Sequence, residues 1–240
     1  MKSYAIITDV HGNGPALEAV LKDIRRRKVD YIYCLGDMIG IGPDSNEVME
    51  QLLEQSNISC IIGNHELAIL AAYQNKLPPL GNHNERIHHK WLADRIDEKY
   101  ISFLNELPMS LVHEDSGRKL YFTHYHLDSS NYFIPIDKDP TKDKLDELYM
   151  NTEFDIVCFG HHHIVHQFQT KNRIYFNPGS LGCYNKPIAR YGIVKIIDLE
   201  ILTELVEVPY NNLYFLRSYE ELKVPERELL LKVFHGAQIF

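Results

Sequence analysis

The sequence predicts an α/β fold around a mostly parallel sheet, and three observations carry that reading. Apolar runs of strand length alternate with segments of helical periodicity through the first 65 residues, the pattern that parallel strands and their crossovers require. The composition is that of an ordinary globular chain, with 45% hydrophobic and 24% charged residues in 240, so disorder and disulfide-miniprotein classes fall away. Finally, each apolar run stops at glycine, carboxylate, amide or imidazole groups. In open α/β sheets, ligands gather beyond the carboxyl ends of the strands.

Taken in order, strand-like runs cover Tyr4 to Val10, Tyr31 to Leu35, Ile58 to Ile62, Leu120 to Thr123, Asp155 to Phe159 and Arg173 to Phe176. Between the first two, Leu17, Val20, Leu21 and Ile24 recur at i, i+3, i+4 and i+7, and Pro15 stands where a first helical turn tolerates it. A second helix is expected from about Asn46 to Glu54. From Glu66 to about Leu107 the periodicity is helical, ending at Pro108, which suggests a cap-like insertion at about 66–107. The stretch from Leu127 to Thr152 reads as a solvated loop with one short helix. Gly192 to Ile197 and Ile201 to Val208 read as a hairpin, and the tail from Ser218 as one docking helix. A single domain over residues 1–240 is expected.

Charge narrows the function classes. Lys and Arg total 25 against 33 Asp and Glu, a formal charge of −8, which argues against non-specific nucleic-acid binding, a property of clustered cations. No apolar stretch is long enough to span a membrane, and the start runs directly into a strand, so no signal peptide is expected. The four cysteines show no C-x-x-C spacing, which suits a reducing, cytoplasmic setting.

The informative residues are polar and sit at strand ends: Asp9-x-His11, Gly36-Asp37, Gly63-Asn64-His65-Glu66, Thr123-His124 and Gly160-His161-His162-His163. Side chains alternate along a strand, so Asp9 and His11 are expected to share a face, as are His161 and His163. Asp9, His11, Asp37, Asn64, His124, His161 and His163 are candidate metal ligands. Without any thiolate the set suits Mn, Fe, Zn or a similar divalent ion. Seven donors are too many for one ion and fit two ions sharing a carboxylate, plus solvent. His83, His88, His89 and His113, outside the repeated pattern, read as structural; His126, His162 and His166 are closer cases read the same way. Trp91 and Tyr100 read as packing residues, and Arg190 as a surface candidate for phosphate.

The ordered set D-x-H, G-D-x-x-G (Gly36 to Gly40), G-N-H-E, a lone His124 and G-H-x-H, followed by Asn177-Pro178-Gly179-Ser180, resembles the calcineurin-like metallophosphoesterase superfamily. It is similar in particular to small prokaryotic phosphodiesterase-like and diadenosine tetraphosphatase-related members. That resemblance implies a four-layer α-β-β-α sandwich with two mixed sheets and a helical cap insertion. It also implies roles: Asp9, His11 and His163 on one ion, Asn64, His124 and His161 on a second, Asp37 bridging, and His65 as the catalytic group that helps protonate the leaving group. Members commonly have Asp after the Asn-His pair, where it orients that histidine; here Glu66 stands. The lone histidine is often followed by Gly, here by Tyr125.

The expected activity is hydrolysis of a phosphodiester or nucleotide (poly)phosphate, by in-line attack of hydroxide bridging two divalent transition-metal ions, manganese before Fe, Zn or Ni. The expected partner is a small phosphate ester or nucleotide. No Arg follows the Gly36-Asp37 motif, which weighs against a phosphoprotein substrate. A phosphomonoesterase or Ser/Thr-type protein phosphatase, and a non-catalytic scaffold on the same fold, are the competing readings.

Overall fold

A computed structural model describes residues 2–77 and 83–238; residues 78–82, within the expected cap, lie outside the described set. The strands are β1 (Lys2–Ile7), β2 (Tyr31–Cys34), β3 (Ile58–Cys60), β4 (Ser110–Asp115), β5 (Arg118–Thr123), β6 (Ile156–Cys158), β7 (Val165–Gln169), β8 (Ile174–Pro178), β9 (Ile188–Ile197) and β10 (Glu200–Pro209). The helices are α1 (Gly14–Arg27), α2 (Ser45–Leu53), α3 (Asn64–Tyr73), α4 (His83–Ala93), α5 (Glu98–Glu106), α6 (Lys142–Leu148), α7 (Leu213–Glu221) and α8 (Arg227–His235).

Two mixed five-stranded sheets result, ordered β10-β9-β1-β2-β3 and β4-β5-β6-β8-β7. In the first, the parallel strands β1-β2-β3 carry the antiparallel β9 and β10 on one side; in the second, the parallel centre β5-β6-β8 is flanked by antiparallel β4 and β7. The period-two geometry of a strand sends alternate side chains to opposite faces. Tyr4 and Ile6 of β1, Tyr33 of β2, Phe122 of β5, Ile156 and Cys158 of β6 and Phe176 of β8 meet in one cluster between the sheets. Ala5, Ile7, Ile32 and Cys34 face the other way, onto α1, α2 and α5. Val157 and Tyr175 face Leu145 and Tyr149 on the outer side of the second sheet. Tyr33 and Phe122 stack across the inter-sheet layer with centroids 3.8 Å apart. The order of layers is helix, sheet, sheet, helix.

Local chemistry sets the helix starts. Asn13 caps α1 by accepting from the Ala16 N–H at 3.1 Å, and Leu17, Val20, Leu21 and Ile24 are all buried. The tail departs from expectation: it forms two helices, α7 and α8, separated at Pro225 because proline cannot continue a helix. Strands β4 and β7 were not anticipated. Both are edge strands, and neither is buried throughout as β6 is, so they lack a continuous apolar run. Within segment 66–107 the described residues form α3, α4 and α5 and the turns that join them. Ile69, Leu70, Leu92, Tyr100, Ile101 and Leu104 anchor α3, α4 and α5 in the core under the first sheet.

Candidate metal centre

The loops leaving the parallel strands carry the candidate ligands. Strand β1 runs on to Asp9 and His11, β2 to Asp37, β3 to Asn64 and His65 at the start of α3, β5 to His124, and β6 to His161 and His163. The two sheets deliver them to one place: His11 Nε2 lies 2.8 Å from His163 Nε2, and His124 Nε2 lies 2.9 Å from Asn64 Oδ1.

Strand alternation is not what aligns these pairs. Asp9, His11, Asp37, His161 and His163 have φ of 53°, 51°, 50°, 65° and 57°, the left-handed region, and all lie beyond the strand ends. Such backbone costs a residue with a Cβ roughly 1 kcal/mol or more and persists only when neighbours over-determine it. Here the neighbours are other loops: His11 N–H donates to Asp37 O at 2.9 Å, Gly182 N–H to Asp9 O at 3.0 Å and Gly160 N–H to His124 O at 2.8 Å. The Asn177–Ser180 loop is a buttress. Ser180 Oγ donates to Asp9 O at 2.7 Å and Asn177 Nδ2 to Gly160 O at 2.8 Å.

Within the cluster, His124 Nδ1 lies 2.8 Å from the Leu35 carbonyl, which only accepts, so Nδ1 carries the proton. The remaining nitrogen, Nε2, points at Asn64 Oδ1, at His161 Nδ1 at 3.1 Å and at Asp37 Oδ2 at 3.2 Å. Such a convergence of acceptors calls for positive charge, met by a proton on His124 Nε2 or by a cation among them, and a histidine held through its other nitrogen by a backbone carbonyl is the usual posture of a metal ligand. A second group forms around His11 and His163, whose Nε2 atoms lie 3.6 and 3.3 Å from Asp9 Oδ1. Asp37 Oδ2 stands between the groups, 3.8 Å from His11 Nε2. The donor set therefore fits divalent cations.

Electrostatics agree. Asp9, His11, Asp37 and His124 are buried, while Asn64, His65, His161 and His163 are partly exposed at the mouth. Burial would raise both aspartates, but hydrogen bonds from His11 and His163 hold Asp9 well below the carboxylate range, and the charge and hydrogen bond of His124 do the same for Asp37. Burial lowers His11, and lowers His161 to about 4, so both are neutral donors of lone pairs. At His124 burial also pulls down, but the charge of Asp37 overrides it and lifts the ring to about 9. Positive charge is in demand at that point.

His65 is oriented differently from what the resemblance implied. Glu66, fully buried, accepts from Asp37 N–H at 2.8 Å, Gly63 N–H at 2.7 Å and Ile39 N–H at 3.0 Å. Its longer arm ties the β2 loop to the start of α3. The ring of His65 instead meets His89, Nδ1 to Nε2 at 3.1 Å. Gly40, at φ 101°, makes room: a Cβ there would lie 2.6 Å from His65 Nδ1. The ligand-capable atoms of His65, His11 and Asp37 lie within 4.8 Å of one another. Burial holds His65 well below its ordinary value, hence neutral.

Two residues near the centre escaped the sequence reading. His89 lies on α4, and nothing in its local pattern says where that helix docks. Cys183 lies within 4.8 Å of ligand-capable atoms of His11 and His163, and burial raises its thiol well above the usual range, so it is uncharged. Arg190 is not at the centre: it pairs with Glu207 at 3.0 Å and stacks on Tyr184. His113 bonds Tyr4, His126 bonds Tyr149, and His162 pairs with His166.

A two-sheet sandwich with such a cluster at its strand ends belongs among the phosphoester hydrolases. A model of the calcineurin-like phosphoesterase superfamily domain matches residues 1–198, and the chain belongs to that superfamily. Among its relatives, the uncharacterized protein MJ0912 of Methanocaldococcus jannaschii is 27% identical, covering 92% of this chain and 93% of its own. The symmetrical bis(5'-nucleosyl)-tetraphosphatase of Erwinia tasmaniensis is 30% identical over 128 residues, 52% of this chain and 44% of that protein. In architecture the chain is similar to the hypothetical protein PH1004 of Pyrococcus horikoshii OT3 (TM-score 0.82, 20% identity, all of both chains). It is also similar to a metallophosphoesterase from Sphaerobacter thermophilus (TM-score 0.73, 24% identity, 98% and 99% covered).

Proposed function

We propose that the protein hydrolyses a small phosphodiester with the help of two divalent ions, manganese before Fe, Zn or Ni. Asp9, His11 and His163 would hold one ion, Asn64, His124 and His161 the other, and Asp37 both. The observation that carries this reading is the convergence of His124 Nε2 with Asn64 Oδ1, His161 Nδ1 and Asp37 Oδ2 at 2.9, 3.1 and 3.2 Å. Bound there, such ions would polarise a phosphoryl oxygen and make a water nucleophilic near neutral pH.

The residues of the chain supply the rest. In-line hydrolysis forms one P–O bond to the water oxygen, breaks the P–O bond to the leaving alkoxide, and moves one proton from water to the leaving group overall. His65 is the group for that proton. If its Nδ1 accepts from His89 Nε2–H, the orphan left at His89 is an acceptor, Nδ1; the opposite arrangement would orphan a buried N–H, which is rarer. His65 therefore keeps its proton on Nε2, available to the leaving oxygen and replaced from solvent. The absence of an arginine between Gly36 and Gly42 favours a phosphodiester over a phosphoprotein. A nucleotide polyphosphate is the second reading, favoured by the similarity to tetraphosphatases. The protein is read as a single domain working in a reducing compartment such as the cytoplasm, where its four free cysteines stay reduced.

Hydrolysis of bis(p-nitrophenyl) phosphate tests the reading. Activity with added Mn²⁺ that a chelator abolishes is expected. Silence with Mn²⁺, Fe²⁺, Ni²⁺ and Zn²⁺ alike would turn the assignment to a scaffold on the same fold.

A further inference from the structure

We infer that the phosphoester cleaved at this centre carries a long alkyl or acyl chain, which lies in the cleft between α8, α4 and the 132–136 segment. This rests on the phosphodiesterase reading and specifies its substrate class. A cavity of about 1060 Å³ begins at Asn64, His65 and His161 and runs outward, at the upper end of ligand-sized pockets. One wall is α8, through Leu229, Leu230, Val233 and Phe234, and the facing wall includes Phe133 and Ile136. The Phe234 ring lies 5.7 Å from that of His163, so hydrocarbon reaches the metal ligands without a polar gap.

The charge of the lining decides against a polyphosphate. Among the described residues no Lys or Arg lines the cavity, and the carboxylates that do are Glu85 and Glu226. A dinucleoside tetraphosphate places one phosphoryl at the centre and must lay the others along this lining, where hydrocarbon and acidic groups oppose them. The rim is apolar as well: Tyr132, Ile136, Leu229 and Val233 are 70%, 43%, 52% and 60% exposed. Contiguous exposed hydrocarbon of this kind marks a binding surface. Because the surface descends to His65, whatever covers it presents an atom to the catalytic group, as the chain of an amphiphilic phosphodiester would.

The experiment uses the Mn²⁺-loaded protein and a series of methyl, butyl, hexyl and octyl p-nitrophenyl phosphates. The expected result is a rise in kcat/KM of roughly threefold per added methylene. Octylphosphonate should inhibit hydrolysis of the methyl ester at far lower concentration than methylphosphonate. In a Leu229→Asp/Val233→Asp variant the octyl-to-methyl ratio should fall at least tenfold. If the methyl ester is cleaved but rate and inhibition ignore chain length, the inference is overturned and the phosphodiesterase reading stands. A kcat/KM for diadenosine tetraphosphate above that of the octyl ester overturns it too. No cleavage of any diester with the four metals overturns the reading beneath it.

Discussion

His65 and His89 form a pair whose members should fail differently. His65 would meet the leaving oxygen, whereas His89 acts only through it, holding Nδ1 at 3.1 Å. His65→Ala is therefore expected to lower kcat by roughly 10²–10⁴-fold with the metal content unchanged. His89→Ala should lower kcat by roughly 10–100-fold at constant KM, and His89→Gln, which keeps an N–H donor, should recover part of the loss. If His89→Gln is as impaired as His89→Ala, the donated hydrogen bond is not what matters. Asp37→Ala, by contrast, should reduce the bound metal seen by elemental analysis, since Asp37 Oδ2 faces both donor groups. The strand-end residues were legible because each couples a glycine or loop signal to a donor. His89 was not, because only the docking of α4 brings it 24 positions along the chain to His65.

Helix α8 is an element whose attachment should depend on pH. His235 is buried, its Nε2 3.0 Å from the Tyr219 hydroxyl on α7. Burial first, then the nearby His11 and His163, lower it to about 4. The unfolded chain takes up this proton as pH falls through the ordinary histidine range near 6.5, while the folded chain resists until about 4. Stability is therefore lost on acidification across that window, by roughly 3 kcal/mol for the full shift. Urea unfolding of metal-free protein should show a smaller loss between pH 7 and pH 4 in His235→Gln than in the parent; equal losses would place the acid sensitivity elsewhere. The elements themselves were legible in proportion to their burial. Strands β1, β2, β5, β6 and β8 are apolar enough to announce themselves, whereas β4 (Ser110–Asp115) and β7 (Val165–Gln169) owe their conformation to the neighbour they pair with. The tail from Ser218 reads as one docking helix on its apolar spacing, whereas the chain breaks between Glu221 and Arg227, around Pro225, into two.

Across the whole molecule, the formal charge of −8 looks ill suited to an anionic substrate, but the proposed ligands include only two carboxylates, Asp9 and Asp37. Two divalent ions would bring +4 against their −2. Histidine thus lets the chain hold cations without cancelling them. The layered architecture was legible only through the family resemblance: local periodicity shows strands and helices but not which strands share a sheet, and β9, late in the chain, pairs with β1 at its start. That division of the donors between sheets has a mechanical consequence. Asp9, His11, Asp37 and Asn64 follow strands of the first sheet, His124, His161 and His163 strands of the second, so ions bound among them would rivet one sheet to the other. By linkage, an ion bound only by the folded chain adds RT ln(1 + [M]/Kd), roughly 2.7 kcal/mol at a hundredfold excess over Kd. The melting temperature should then climb steadily with Mn²⁺ concentration, and the increment should shrink in His124→Ala. Occupancy of the centre would be a condition of how long the protein lasts as well as of what it does.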